Sequence, residues 1–290
     1  MAKHKGMRKN FIEKILPGIA SVSLLFLLGI ALTLILTGFP AFEKVGVIEL
    51  ILGDEWRPTF VPPYFGILPL ILSSAYVTIG AIIFAVPLGV ASAVYVAELA
   101  RPAVRETIKP IMEILAGIPS VVFGFFGIVF VSPLVQKVFN LPTGLTGFTA
   151  AIILGLMAVP TIASITEDAI TSVPKELRHA SYALGGNIWE TITRVTIPAA
   201  KSGIFTAVIL GVSRAIGETM TVLMVAGGAR GIPNSLFSPM RPMTATIAGE
   251  MGEAVVGSIH YHALFAIGFV LFFINIVFNL AAERIRKGKL

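Results

Sequence analysis

The sequence of 290 residues contains no cysteine. That excludes disulfides and thiolate metal sites, and it leaves the compartment open. Charged side chains are scarce too, at 13% against roughly 25% in soluble globular domains. Nothing in the sequence has the spacing of a Ser-His-Asp constellation, a paired-metal cluster or a nucleotide-binding fold. Lys201-Ser202 resembles the end of a phosphate-binding loop, but Ala200 and Val195 stand where that loop requires glycine. The chain is therefore expected to bind no ATP by that motif, to carry no cofactor or metal, and not to be an enzyme by itself. There is no internal repeat and no low-complexity tract.

What is present is apolar. Hydrophobic residues make up 56% of the chain and the mean hydropathy is +0.89, which places it among integral membrane proteins. Six apolar runs, at 15–36, 67–97, 111–131, 147–165, 203–226 and 263–281, approach or exceed the roughly 20 residues that cross a bilayer as a helix. Backbone groups left unpaired in lipid are costly and the runs are too long for barrel strands, so the fold class is all-α, a six-span helical bundle. Residues 1–14 read as a basic head, 15–281 as one transmembrane domain with a polar insert at 166–202, and 282–290 as a basic tail. The first run is long for a signal core and no small-x-small cleavage site follows it, so it is expected to stay as an anchor.

The net charge of +6 reports topology, not a nucleic-acid partner. Sixteen of the 22 Lys and Arg residues fall in the head, around 101–109, in the polar insert and in the tail. Five fall in the alternate connectors, and Arg214 lies inside the fifth run. The positive-inside rule then puts both termini and the insert in the cytoplasm of a multi-pass membrane protein.

The insert divides at Gly185-Gly186. Pro174 suits a first helical turn with Ser172 as a nearby cap, and Gly185 suits the left-handed residue that ends a helix. Asn187 and Glu190 have capping-box spacing, and Pro198 discourages continuation of the second helix. Ala180, Ser181, Tyr182, Ala183 and Leu184 lie at the bend. Such an apolar tip fits a groove on a soluble partner, or a helix lying at the membrane surface.

Arg214 and Glu218 are four residues apart, hence on one face of a helix. An arginine inside a span costs at least about 2.5–3.5 kcal/mol, so it faces protein or water. It is either one half of a structural ion pair or a contact for an anion, which its planar fork can grip with two parallel bonds. Glu250 and Glu253 precede the sixth run, on a pathway-lining helix or on a wetted loop. His260 and His262 are two apart, on different helix faces, and read as interfacial residues and not as metal ligands.

Ala180, Gly185 and Pro198, with Val195 and Ile197 as conservative replacements, resemble the cytoplasmic loop of ATP-binding-cassette importer permeases. That family's loop opens Glu-Ala-Ala; here it opens His179-Ala180-Ser181, so no role for the family's glutamate carries over. The stretches SRAIGETM, from Ser213, and IAGEMGEAVVGSIHYHALF, from Ile247, resemble phosphate-importer permeases of the PstC type in particular. The resemblance implies a subunit that imports inorganic phosphate, with Arg214 and Glu218 in transport and the loop coupled to an ATPase. It also implies four kinds of surroundings: a second, homologous permease (PstA-like), a cytoplasmic ATPase dimer that uses ATP, an extracytoplasmic phosphate-binding protein and membrane lipids. Two alternatives stand beside it. One is the same machine for sulfate or molybdate, and the other is an ion-coupled carrier or channel without an ATPase.

Overall fold

The computed structural model describes the backbone of residues 2–288 and the side chains of residues 16–286. The side chains of the basic head and of the last four tail residues lie outside that range.

Helix α1 (Ala2–Val45) leads through a short α2 (Val47–Leu52) into a small antiparallel pair, β1 (Trp56–Arg57) and β2 (Tyr64–Phe65). Helix α3 (Leu68–Val94) runs on through a π-helical turn at Tyr95–Leu99. Next come α4 (Pro102–Ala116), α5 (Ser120–Phe126), a second π turn (Gly127–Val131) and α6 (Ser132–Val138). Helix α7 (Gly147–Thr171) is followed by α8 (Lys175–Ala183) and α9 (Ile188–Thr191). A third π turn (Ile192–Thr196) joins α9 to α10 (Ile197–Ile216). Helices α11 (Met220–Val225), α12 (Met243–Glu250) and α13 (Ile259–Gly288) complete the chain.

Among the described residues, six helical stretches are long and apolar enough to cross a membrane: Leu16–Val45, Leu68–Leu99, Ser120–Val138, Gly147–Thr171, Ile188–Ile216 and Ile259–Arg286. The all-α, six-span reading therefore holds, with three boundaries corrected. The third span is not continuous over 111–131. Helix α4 ends at Ala116, and Pro119 serves as the N-cap of α5, because a residue before proline is driven out of the helical region. The fifth span does not run over 203–226; α10 stops at Ile216, and α11 is a separate short helix. Pro198 does not stop a helix either. It sits in the first turn of α10, directly after the π turn, where the hydrogen-bond register has already shifted. A proline lacks an N–H, and that lack is tolerated at such a position.

Helix α7 is the centre of the bundle, with α3, α4, α5 and α10 around it. It buries Ile153, Leu154, Met157 and Ile162, and at the far end its Thr146 cap accepts from the Thr149 N–H. A Cβ at Gly203 would come within 2.3 Å of the Ala169 Cβ, so α10 approaches α7 as closely as two helices can. Helix α1 meets the rest of the described chain chiefly through α13, where His262 Nδ1 lies 2.7 Å from the Thr37 carbonyl and Phe42 meets Phe269 edge-on. The remaining apolar surface of α1 is uncovered, as is most of the outer face of α5 and α6. Such surface belongs against lipid or another membrane helix.

Candidate substrate pathway and coupling loop

Two broken helices face one another. One break lies at residues 117–119, between α4 and α5, and the other at 217–219, between α10 and α11. Arg214, in the last turn of α10, ties them together. Its Nη2 donates to the Ala116 carbonyl at 3.2 Å and its Nη1 to Thr161 Oγ1 of α7 at 3.2 Å. Thr161 stands near the middle of α7, so the cation sits well within the bundle. Thr221 Oγ1 donates to the Ser120 carbonyl at 3.0 Å, lacing α11 to the start of α5.

Glu218 is beside Arg214 in sequence but is not its ion-pair partner. The helix has ended at Ile216, so the i, i+4 geometry is lost. The carboxylate turns instead to α11, where Oε1 accepts the Thr221 N–H at 3.2 Å. A negative charge there complements the positive end of a helix. The Glu218 carbonyl accepts from Thr244 Oγ1 of α12 at 2.7 Å. Ser74, Thr78, Glu218 and Thr244 contribute to a crevice of about 10 Å³ beside this turn, roughly the room one water needs. Two of the five N–H groups of Arg214 are engaged by protein among the described residues. Its fork is thus partly buried, oriented and not neutralised by Glu218.

Glu250 and Glu253 are held elsewhere. Glu250, buried at the end of α12, accepts Trp56 Nε1 at 2.9 Å, lies 3.0 Å from His260 Nε2 and is bonded by Arg241. It fastens the connector, β1, α12 and the start of α13 into one unit. Glu253 is exposed in the turn that follows. No hydrogen bond or ion pair joins either residue to Arg214 or Glu218 among the described residues. His260 is thus a partner for a buried carboxylate, a link that local spacing could not reveal.

The polar insert folds as helix, glycine bend and helix. Gly185 has φ +86°, the left-handed conformation, and the amides of Leu184, Gly185 and Gly186 donate back to Ala180, Tyr182 and Ser181. A Cβ at Gly185 would meet nothing within 4 Å, so the requirement for glycine is in the backbone alone. Asn187 and Glu190 form the capping box, each side chain accepting the other's amide at 3.0 Å. Ser172 does not cap α8, the first helix of the insert; it ends α7 and donates to the Ala169 carbonyl, while Pro174 occupies the N-cap of α8. The bend displays Leu184, 90% exposed, with Tyr182, Ile188 and Trp189 around it. Ala180 and Ala183 are exposed beside them, Ser181 Oγ meets Thr191 Oγ1 at 2.8 Å, and Pro198 lies exposed past the π turn.

A charged girdle fastens the ends of the spans near this loop. Glu167 of α7, fully buried, accepts Arg105 at 2.5 Å and Lys109 at 2.7 Å, and Lys109 also meets Asp168 at 2.6 Å. The Asp168 and Glu167 hydrogen bonds hold the Lys109 ammonium above its ordinary pKa of 10.5. Glu98 meets Arg178 across the loop. Acids at one end of an apolar run were the sequence signal for this girdle, but their partners lie about 60 to 80 residues away.

Residues 85–289 match the family described as the binding-protein-dependent transport system inner membrane component. The chain is 39% identical over 263 residues to a probable ABC transporter permease protein, YqgH, of Bacillus subtilis, covering 90% of this chain and 83% of that protein. It is 36% identical to the phosphate transport system permease protein PstC of Mesorhizobium japonicum, covering 88% and 83%. Among solved structures, a bacterial alginate ABC transporter in complex with a pentasaccharide-bound periplasmic protein superposes with a TM-score of 0.67 at 16% identity, over 96% of this chain and 94% of that one. The inward-facing methionine ABC transporter MetNI superposes with a TM-score of 0.57 at 18% identity, over 77% and 94%. These two share the fold. The chain belongs to the inner-membrane permease components of binding-protein-dependent ABC importers, PstC-like in its relatives, and is a multi-pass transport subunit and not an enzyme.

Proposed function

We propose that this permease carries inorganic phosphate. The observation that supports this most directly is Arg214, whose guanidinium is held at the junction of two broken helices and is not neutralised by Glu218. Broken helices that meet inside a bundle are how transporters place backbone groups and charge on a pathway. A planar fork with N–H groups to spare suits a phosphate oxyanion. The PstC relatives favour phosphate over sulfate or molybdate, which charge alone does not separate.

In this reading both termini and the α8–α9 bend lie in the cytoplasm, where the Leu184 tip enters a groove on an ATPase dimer. That partner binds and hydrolyses ATP; this chain supplies none of that chemistry. A homologous PstA-like permease completes the pathway, and an extracytoplasmic phosphate-binding protein delivers the anion to the far side, where Glu250 stiffens the connector. ATP-driven closure of the ATPase dimer moves the bend, and the bundle exchanges an inward opening for an outward one. Glu250 supports that outer region from within, and Glu253 faces solvent on it.

The test is reconstitution of the chain with its ATPase, second permease and binding protein in liposomes. ATP-dependent uptake of labelled phosphate, competed by phosphate and not by sulfate, is expected. Uptake competed equally by sulfate would make the cargo another oxyanion. Uptake by the chain alone under an ion gradient would make it a carrier.

A further inference from the structure

Helix α8 leads into the docking tip, yet none of its residues is fully buried, and its large apolar side chains Leu177 and Tyr182 stay 44% exposed. Apolar packing is therefore a weak route for a push from α8 to the membrane helices. Among the described residues two side-chain polar links remain. Ser181 reaches Thr191 of α9, within the insert itself. Arg178 reaches the bundle, with only 15% of its side chain exposed.

Arg178 makes four hydrogen bonds to two membrane elements. Its Nε and Nη2 donate to Glu98 Oε1 at 3.1 and 2.8 Å, in the π turn that ends the α3 span. Its Nη2 also donates to the Ile170 carbonyl at 2.9 Å, in the last turn of α7, and its Nη1 to the Val173 carbonyl at 2.7 Å, just past that helix. The Ile170 carbonyl also accepts the Val173 N–H at 3.2 Å, so Arg178 binds an acceptor that the helix end itself uses. Glu98 is 8% exposed and Arg178 is its only ion-pair partner among the described residues. A planar guanidinium can hold three directions at once, which an ammonium cannot.

We propose that Arg178 is a positioning residue for energy coupling: with Glu98 it is the rigid link through which displacement of the docking helix moves the ends of the α3 and α7 spans together. This rests on the reading of the bend as the ATPase-docking element. The link separates two properties that the bend would otherwise combine. Docking resides in the exposed tip, and transmission resides in the buried pair. The π turn at Tyr95–Leu99 suits the second task, because such turns mark places where a helix can shift its register.

The chain lacks cysteine, so a replaced pair gives it just two thiols. In Glu98→Cys/Arg178→Cys both charges go together, leaving no buried carboxylate unpaired. In the reconstituted complex the dithiol form should retain the ATPase, while phosphate moved per ATP hydrolysed falls at least tenfold. Bridging the thiols with a reducible bis-methanethiosulfonate should restore most of that ratio, and reductant should abolish it again; the unsubstituted complex, treated alike, should not respond. A dithiol form coupled as well as wild type overturns the proposal, as does a loss that bridging leaves unchanged, or loss of the ATPase itself. A wild-type complex that never holds the ATPase would instead overturn the reading of the bend. If the double variant fails to insert, Glu98→Gln decides: a several-fold fall in phosphate per ATP with the ATPase retained supports the link, and a wild-type ratio overturns it.

Discussion

Arg214 and Glu218 point apart: the arginine reaches back to Ala116 and Thr161, while the glutamate reaches forward to the Thr221 amide. Four residues separate them, and a helix end lies between. Their charges therefore serve different elements, and their substitutions should have different consequences. Glu218→Gln keeps an acceptor for the Thr221 amide and should leave folding intact.

Gly185→Val should weaken retention of the ATPase and abolish ATP-driven uptake while leaving membrane insertion unchanged. Valine in a left-handed conformation costs on the order of 1–3 kcal/mol, and no steric clash adds to this. Gly185→Asn should keep most function, since asparagine tolerates that backbone. Co-purification of the ATPase with each variant checks the pair.

Glu250→Ala should destabilise the chain by about 3–5 kcal/mol, the usual result of breaking a buried charged contact. Trp56, His260 and Arg241 would all lose an acceptor. Thermal unfolding of the detergent-solubilised protein reads this directly. Glu253→Ala, on an exposed turn, should shift it little.

Lys109 gives a dependence on pH. Its folded-state pKa is raised by Asp168 and Glu167, so its stabilisation is fully present below the unfolded value and disappears as pH rises through the folded one. Lys109→Met should therefore lower the melting temperature equally at pH 6 and pH 9. The gap from wild type should begin to close only above the ordinary lysine range.

A reporter active only outside the cytoplasm should work when fused after Thr59 or Asn234 and stay silent after Glu190. The motive is the distribution of Lys and Arg, sixteen on one set of segments and five on the other. Activity at Glu190 would invert the orientation.

Local features were legible in the sequence. Gly185 and the Asn187–Glu190 box follow from backbone rules that act within five residues, and the structure realises both. Helix ends inside apolar runs were not. In the run over 203–226 the polar residues Arg214, Glu218 and Thr219 flank Gly217, but charge on a helix face does not by itself mark a helix end; in the structure α11 packs against α5 and α12. Pro198 misleads for a related reason, since a π turn absorbs its missing donor. The Trp56–Glu250 contact and the Arg178–Glu98 link join residues 194 and 80 apart, and no periodicity reports such pairs.

Phosphate uptake by the reconstituted importer carrying Arg214→Ala/Glu218→Gln, at matched assembly with its partners, is the most direct test of the pathway. Arg214→Lys should be measured beside it. Uptake lost at least a hundredfold in the double variant, and clearly impaired in the lysine variant that keeps the charge but not the fork, is the expected result. A double variant that transports phosphate near the wild-type rate would contradict it and leave Arg214 as a packing charge.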